Sequence, residues 1–225
     1  MNCHIHQLPE LETATLAVRE ALAAVIHTVL FIRSPGPVSP FDVHCESFGL
    51  TYTRIATEND PLHGIVTGGA SRRQNKSTSS YQQLDRKVDG SIEEFLQTLT
   101  PIGPELMAGN LAISFFERRP KKQLFGLHIT EEKVPFEQWI VRVLVNNTPR
   151  PTGEDEASVI ERQRIQDTAE GMLKAVMLKI FELANIYTDH VPSSMYDFDI
   201  SSAKRADDRE EFKVTHIPAL INLQS

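Results

Sequence analysis

The chain has 225 residues, with 30 acidic and 23 basic side chains and a formal net charge of −7. This length is enough to bury a hydrophobic core, and we expect a single domain over 1–225. The acidic balance argues against nucleic-acid binding and against attachment to an anionic membrane, because both need a basic surface. The longest apolar run, 21–32, is too short to cross a bilayer, so we expect no membrane insertion. With only two cysteines, Cys3 and Cys45, a disulfide framework is excluded and a reducing compartment is favoured.

The first predicted element is a helix over 11–33, a stretch without glycine or proline. Its apolar residues recur at helical spacing on more than one side, which indicates a helix buried over much of its circumference. We expect the residues before it to form a mobile terminus. Cys3, His4 and His6 together offer metal ligands, but they lack a second half-site at any structural-zinc spacing. The sequence therefore predicts no metal and no cofactor.

The middle of the chain alternates between helix and strand patterns. Residues 50–56 carry β-branched and aromatic side chains typical of a strand. The Gly/Ser/Thr/Gln-rich composition of 57–83 predicts a mobile loop insertion with little to bury. Residues 84–99 have helical apolar spacing, while 110–119 and 139–147 alternate as strands do.

A long helix is predicted over 157–187, preceded by acidic residues that favour its N-terminus. Two short candidate strands follow, at 196–201 and 211–217. Helices gathered on one face of a sheet whose strands reverse direction predict an α+β layered fold.

The sequence contains no motif that indicates an enzyme. It has neither a Gly-x-Ser-x-Gly nucleophile nor a phosphate-binding loop. Asp189 and His190 resemble a base with its orienting carboxylate, although neighbours at a helix end commonly serve as caps. An unrecognised enzyme that uses this pair stays open as an alternative to a non-enzymatic protein.

The most informative feature is an apolar turn between a basic run and an acidic pair, where Leu124, Phe125 and Leu127 surround a glycine. Burying each of these side chains in a partner contributes about 1.5–3 kcal/mol before association costs. A contiguous exposed apolar patch usually marks an interaction site. The alternative is that these side chains fold back over the edge of the sheet.

Four segments resemble the autophagy-related protein 101 family, whose members are HORMA-domain subunits of the complex that initiates autophagy. The segments are VREALAAVIHTVLFIRS (18–34), LTYTRIA (50–56), the strand-turn-strand 109–143 and ERQRI (161–165). The most specific part is Pro135-Phe136-Glu137-x-Trp139, which enters a strand some ten residues after the apolar turn. We expect a fungal-type member of this family.

This resemblance implies a HORMA fold, with three helices packed on a mainly antiparallel sheet and a protruding hydrophobic finger. In the family the finger carries a Trp and a Phe that are thought to recruit downstream autophagy factors. Here the matching place reads Leu124-Phe125-Gly126-Leu127, which keeps an aromatic side chain but lacks the tryptophan. The implied function is a non-enzymatic adaptor in the cytoplasm and at the preautophagosomal structure.

The resemblance also implies a partner, the HORMA domain of autophagy-related protein 13. By analogy with HORMA dimers, the outer face of the last helix is the candidate contact, through Arg162, Gln166 and Glu170. An alternative that keeps the fold is a peptide-clasping module in checkpoint or repair signalling. Such a clasp needs a long mobile C-terminal segment, and 188–225 is only marginally adequate.

Overall fold

The computed structural model describes residues 3–34, 39–56, 82–122, 129–193 and 196–203. Within these ranges eight strands and three helices follow one another along the chain. In order they are β1 (His4–Gln7), β2 (Leu11–Ala14), α1 (Val18–Ile32), β3 (Ser39–Cys45), β4 (Leu50–Ala56), α2 (Gln82–Gln97), β5 (Thr100–Pro101), β6 (Leu106–Lys122), β7 (Ile129–Asn146), α3 (Glu156–Ile186) and β8 (Tyr196–Ala203).

The long antiparallel hairpin of β6 and β7 forms the centre of a six-stranded sheet. On the outer edge of β7, β1 and β2 pair in parallel one after the other. On the outer edge of β6, β5 and β8 pair antiparallel. A separate two-stranded sheet joins β3 to β4 through a turn in which Gly49 has φ of +58°, a conformation that favours glycine. The sheet is thus mixed and mainly antiparallel.

Helix α1 lies at the centre of the core and contacts β4 and both other helices. Ten of its fifteen residues are buried, among them the polar His27 and Thr28. The Thr28 hydroxyl donates to the Ala24 carbonyl at 2.7 Å, as a buried hydroxyl must find a partner. The prediction of a helix buried on most sides is confirmed.

The helices cover one face of the sheet. From β7, four alternate residues point into this core and are at most 3% exposed: Trp139, Val141, Val143 and Val145. Helix α2 approaches β6 closely at Gly109, where an added Cβ would lie 2.9 Å from Leu99 Cδ2 and 3.1 Å from the Phe95 ring. Helix α3 begins at the N-cap Asp155, which accepts a hydrogen bond from the Ser158 amide at 3.0 Å.

The N-terminus differs from the sequence-based expectation. Residues 4–7, expected to be mobile, form β1, and 11–14, expected to start the helix, form β2. The physical reason is the period-two pattern of β2, in which Leu11 and Thr13 are buried against β7 while their neighbours are not. Leu16, one of the apolar residues of the predicted helix 11–33, is 96% exposed because α1 begins only at Val18.

Among the remaining elements, the helices and β8 follow the predictions closely, whereas β7 begins ten residues before the predicted strand 139–147, and β3 and β5 were not predicted. The second and third helices begin and end within two residues of the expected bounds, and β8 covers the first predicted C-terminal strand. The predicted strand over 211–217 lies outside the described residues. The predicted loop insertion, 57–83, also lies outside them apart from its last two residues, where α2 begins. The observed fold is α+β, with three described helices on a mainly antiparallel sheet, consistent with the HORMA-like fold that the resemblance implied.

Candidate functional site

The β6–β7 hairpin runs beyond the helix-covered core toward the predicted finger. Its Cα pairing is continuous from Leu106↔Asn146 to Lys122↔Ile129, with one irregularity between Phe115 and Phe116. Residues 123–128, which connect its two strands, lie outside the described residues. The predicted finger residues Leu124, Phe125 and Leu127 are all in this segment, so the structure describes the arms of the finger and not its tip.

Ion pairs join the finger arms to β8. Arg118 donates two hydrogen bonds to the Asp197 carboxylate, at 2.8 and 2.9 Å. Glu131 on the opposite arm lies 3.6 Å from Arg118, and Lys133 lies 3.6 Å from Asp197. The hydrogen bond from Arg118 holds the pKa of Asp197 below its usual range. These contacts link three strands at the point where the hairpin leaves the core.

An aromatic cluster anchors the base of the same hairpin. Phe115 is fully buried, and its ring centroid lies 5.9 Å from that of Tyr196 and 6.4 Å from that of Phe198. Phe136 packs edge-to-face on Tyr196 at 5.1 Å. Such pairs stabilise beyond their buried area by about 0.5–1.5 kcal/mol each. The arms therefore project from a well-packed base.

The residues predicted to contact a partner from α3 are half-buried and bond within the chain. Arg162 donates to the carbonyls of Pro151 and Gly153, at 2.9 and 2.7 Å. Gln166 donates to the Ser47 carbonyl in the β3–β4 turn, and Glu170 pairs with Lys174. The structure therefore places Arg162, Gln166 and Glu170 beside the packed face of α3 and not at its outermost line, where Ile160 and Leu178 are exposed. Whether they contact a partner stays a prediction.

A cleft opens along the packed edge of this helix, between the start of α3 and the end of the β2–β7 pairing. Its volume is about 280 Å³. The walls combine two cationic side chains, Arg150 and Arg164, with the apolar Ile165 and Met172. None of Arg162, Gln166 and Glu170 lines this cleft, so it lies on another side of α3 from the predicted contact.

A buried polar cluster, which the sequence did not predict, lies at the opposite end of α3. Glu137 on β7 is fully buried and receives two hydrogen bonds from Arg33 Nε, at 3.1 and 2.9 Å. Parallel pairing brings His4 opposite Glu137 and His6 opposite Trp139. Burial by itself raises the pKa of Glu137, but the contacts with His6 and Arg33 outweigh it and hold this pKa low.

His190 completes the cluster from the turn that follows α3. Its ring stacks on that of His4 at a centroid distance of 4.4 Å, and its Nε2 lies 3.1 Å from Glu137 Oε2. Burial lowers the pKa of His190 despite the opposing effect of Glu137. Asp189 is exposed. The carboxylate that contacts His190 is therefore Glu137, and not the sequence neighbour that suggested a catalytic pair.

One sequence signal pointed to this cluster without identifying it. His4 and His6 are two residues apart, so on a strand they share a face. A shared face was not predicted, because the terminus was expected to be mobile and not a strand. Glu137 and His190, the other members of the cluster, are distant in sequence. The cluster needs the parallel β1–β7 register, which no local pattern in the chain specifies.

Comparison with known proteins supplies the family. Residues 10–197 match the protein-family model described as Autophagy-related protein 101. The chain belongs to the autophagy-related protein 101 family. The matched range includes the finger hairpin, α3 and His190, while His4 and His6 precede it.

Relatives in the autophagy-related protein 101 family come from plants and vertebrates. The Arabidopsis thaliana protein is 26% identical over 202 residues, covering 85% of this chain and 81% of its own length. The Xenopus laevis protein is 23% identical over 198 residues, covering 82% of this chain and 73% of its own length. The Homo sapiens protein is 27% identical over 158 residues, covering 64% of this chain and 59% of its own length. None of these three is fungal, so the fungal-type expectation stays a prediction.

Membership in the autophagy-related protein 101 family makes this chain an autophagy-related protein. Among its described residues, no helix combines the length and apolar character that crossing a membrane requires.

Proposed function

We propose that this chain is a non-enzymatic adaptor subunit of the autophagy-initiation complex that pairs with the HORMA domain of autophagy-related protein 13. The observation that carries this proposal is the family match over residues 10–197, which spans most of the fold. The adaptor acts in the cytoplasm and at the preautophagosomal structure. One surface binds and stabilises the HORMA partner. The finger, at a different place on the protein, recruits downstream autophagy factors.

The finger proposal rests on how its arms are built. Strands of 17 and 18 residues flank the predicted finger segment, and the pairs of Arg118 and Lys133 with Asp197 join them to β8. Leu124, Phe125 and Leu127 are the apolar residues of that segment. A rigid arm lowers the entropy lost when an apolar tip enters a partner, so a finger without tryptophan retains a useful anchor. Phe125 is the side chain expected to contribute most, because aromatic side chains bury the largest area.

The pairing is tested by co-expression of the full chain with the HORMA domain of autophagy-related protein 13. A stable 1:1 complex on size exclusion is expected, and failure to co-purify would overturn the proposal. Changing Arg162, Gln166 and Glu170 together to Ala should weaken the complex. The matched control changes three exposed polar residues of the same helix, Arg164, Asp167 and Glu182, and should leave it intact.

The finger is tested separately by Leu124→Ala with Phe125→Ala in cells that lack the endogenous protein. We expect impaired autophagosome formation with normal thermal stability and a normal heterodimer. Leu16→Ala removes an equally apolar side chain that is 96% exposed, and serves as the control with normal autophagy. If the finger variant instead loses stability, its side chains cover the sheet edge and the recruitment proposal is wrong.

A further inference from the structure

The buried cluster at the β1 edge contains the elements of a metal site that the family assignment does not explain. The ligand nitrogens of His4, His6 and His190 all lie within 4.8 Å of one another. They come from two distant parts of the chain, the first strand and the turn after α3, and the fold alone brings them together. His190 supplies the second half-site that the N-terminal sequence lacks.

The nitrogen atoms in this cluster are available for a ligand. His6 is 3% exposed, and its Nε2 is buried without a hydrogen bond of suitable geometry. The same holds for His190 Nε2. Each of these nitrogens has a Glu137 oxygen within 3.2 Å but makes no hydrogen bond of good geometry to it, so its burial is only partly compensated. A metal ion would complete that compensation by accepting the lone pairs of both nitrogens.

The carboxylate of Glu137 stands where a fourth ligand is needed. Its oxygens lie 3.2 Å from His6 Nε2 and 3.1 Å from His190 Nε2. Zinc–nitrogen and zinc–oxygen bonds of about 2.0–2.1 Å place tetrahedral ligand atoms roughly 3.3 Å apart. Each separation matches the length of such an edge, but one runs to Oε1 and the other to Oε2, so a carboxylate that binds through a single oxygen has to turn to serve both. His4 has to move closer, and its ring has to rotate away from the stack on His190, to complete the coordination.

We propose that His4, His6 and His190, completed by Glu137, bind one transition-metal ion of the zinc class. Three imidazoles and one carboxylate suit zinc, cobalt, nickel or copper, whereas calcium and magnesium prefer all-oxygen ligands. Arg33 bonds to the same carboxylate and its positive charge opposes a dication. We therefore expect weaker binding than at an all-cysteine structural site.

Binding ties three parts of the fold together. The ion joins β1 to β7 and to the turn after α3, at the edge where β1 is only four residues long. A short parallel edge strand has little stability of its own, so the ion should act mainly by holding β1 in place. The role is a structural clamp and does not require a reaction.

The test uses the full chain with any affinity tag removed and titrates Co²⁺ into it. We expect one equivalent to produce the intense visible absorption of four-coordinate cobalt, and Zn²⁺ to displace it. His190→Gln and His4→Gln should each weaken binding by more than about tenfold, as loss of a direct ligand must exceed loss of an outer-shell contact. His44→Gln, which removes an exposed histidine on β3, should change nothing.

A second measurement does not depend on how the variants fold. X-ray absorption of the zinc-loaded wild-type chain should show three imidazole ligands. Zn²⁺ should also raise Tm, while Ca²⁺ and Mg²⁺ should not. The proposal is overturned by fewer than two imidazoles in that spectrum, or by a cobalt band that persists unchanged in His190→Gln.

Discussion

Arg33, directly after α1, donates from Nε to both carboxylate oxygens of Glu137 on β7, at 3.1 and 2.9 Å. Its Nη2 also donates to the carbonyls of Ala184 and Tyr187 at the end of α3, at 3.3 and 3.0 Å. Both side chains are buried, with Arg33 6% exposed and Glu137 0% exposed. One guanidinium thus joins the end of the central helix to the sheet and to the last helix.

Replacing Arg33 by Met should strongly destabilise the fold. The substitution leaves the Glu137 charge buried without its cation, and two helix-end carbonyls lose their donor. Breaking a buried ion pair in this way costs about 3–5 kcal/mol in the free energy of unfolding. Urea denaturation followed by circular dichroism measures the loss.

The double variant Arg33→Met with Glu137→Gln separates the charge from the packing. Removing the buried charge as well should recover part of the lost stability, so the double variant should be more stable than Arg33→Met alone. If the two losses simply add, the buried pair does not act as a unit and the interpretation is wrong.

The sequence predicts the elements whose pattern is local. The burial of α1, the bounds of α3 and the alternation of Trp139 to Val145 all follow from apolar spacing, which each segment carries by itself. The same alternation predicts most of β6, but the β7 arm over 129–138 precedes the predicted strand. These local patterns are sufficient to predict the fold class and the position of the candidate finger.

The elements that the sequence does not predict depend on partners that are distant along the chain. A four-residue strand such as β1 has no periodicity long enough to distinguish it from a loop, and only its pairing with β7 defines it. The placement of Gln166 is similar, because its contact with Ser47 requires the β3–β4 turn to lie against α3. The register of a parallel strand pair and the orientation of a helix are set by tertiary packing, which overrides local propensity.

Alanine substitutions at Gly109 and Gly90 should have opposite effects, because only Gly109 is packed against neighbouring side chains. Gly109→Ala places a Cβ 2.9 Å from Leu99 Cδ2 and 3.1 Å from the Phe95 ring, so α2 must shift. We expect a loss of about 1–3 kcal/mol in the free energy of unfolding. Gly90 is in α2 with no atom within 4 Å of an added Cβ, and Gly90→Ala should instead stabilise by about 0.5–1 kcal/mol. Denaturant midpoints of the two variants test this, and a shift in the same direction for both would contradict it.

Weakening the ion pairs of Asp197 should increase the mobility of the finger arms without unfolding the core. Asp197→Asn weakens its contacts with Arg118 and Lys133. We expect amide exchange in 117–122 and 129–134 to accelerate a few-fold, since exposed ion pairs contribute modestly. Arg164→Ala breaks an exposed pair with Glu161 on α3 and should leave that exchange unchanged. Identical exchange in wild type and Asp197→Asn would show that the arms do not depend on these charges.

His27 should make the stability of the fold depend on pH. Burial, followed by the charge of Arg54, lowers the pKa of His27 from its usual value to about 3. The groups that face it are Asp85, with Oδ1 3.8 Å from Nε2, Arg54, which bonds to Asp85, and the Tyr52 ring at 6.2 Å. In the unfolded chain the same imidazole has a pKa of about 6.5. The unfolded state therefore binds the proton first as the pH falls.

The contribution of His27 is complete above about pH 6.5 and declines by about 1.4 kcal/mol for each unit below it, until the folded ring also protonates near pH 3. His27→Gln removes this titration, so the difference in unfolding free energy between wild type and variant should change with that slope from pH 6 to pH 4. Other groups titrate in both proteins and cancel in the difference. A curve for His27→Gln parallel to the wild type would mean that the ring binds its proton equally well in the folded and unfolded protein, and would contradict this prediction.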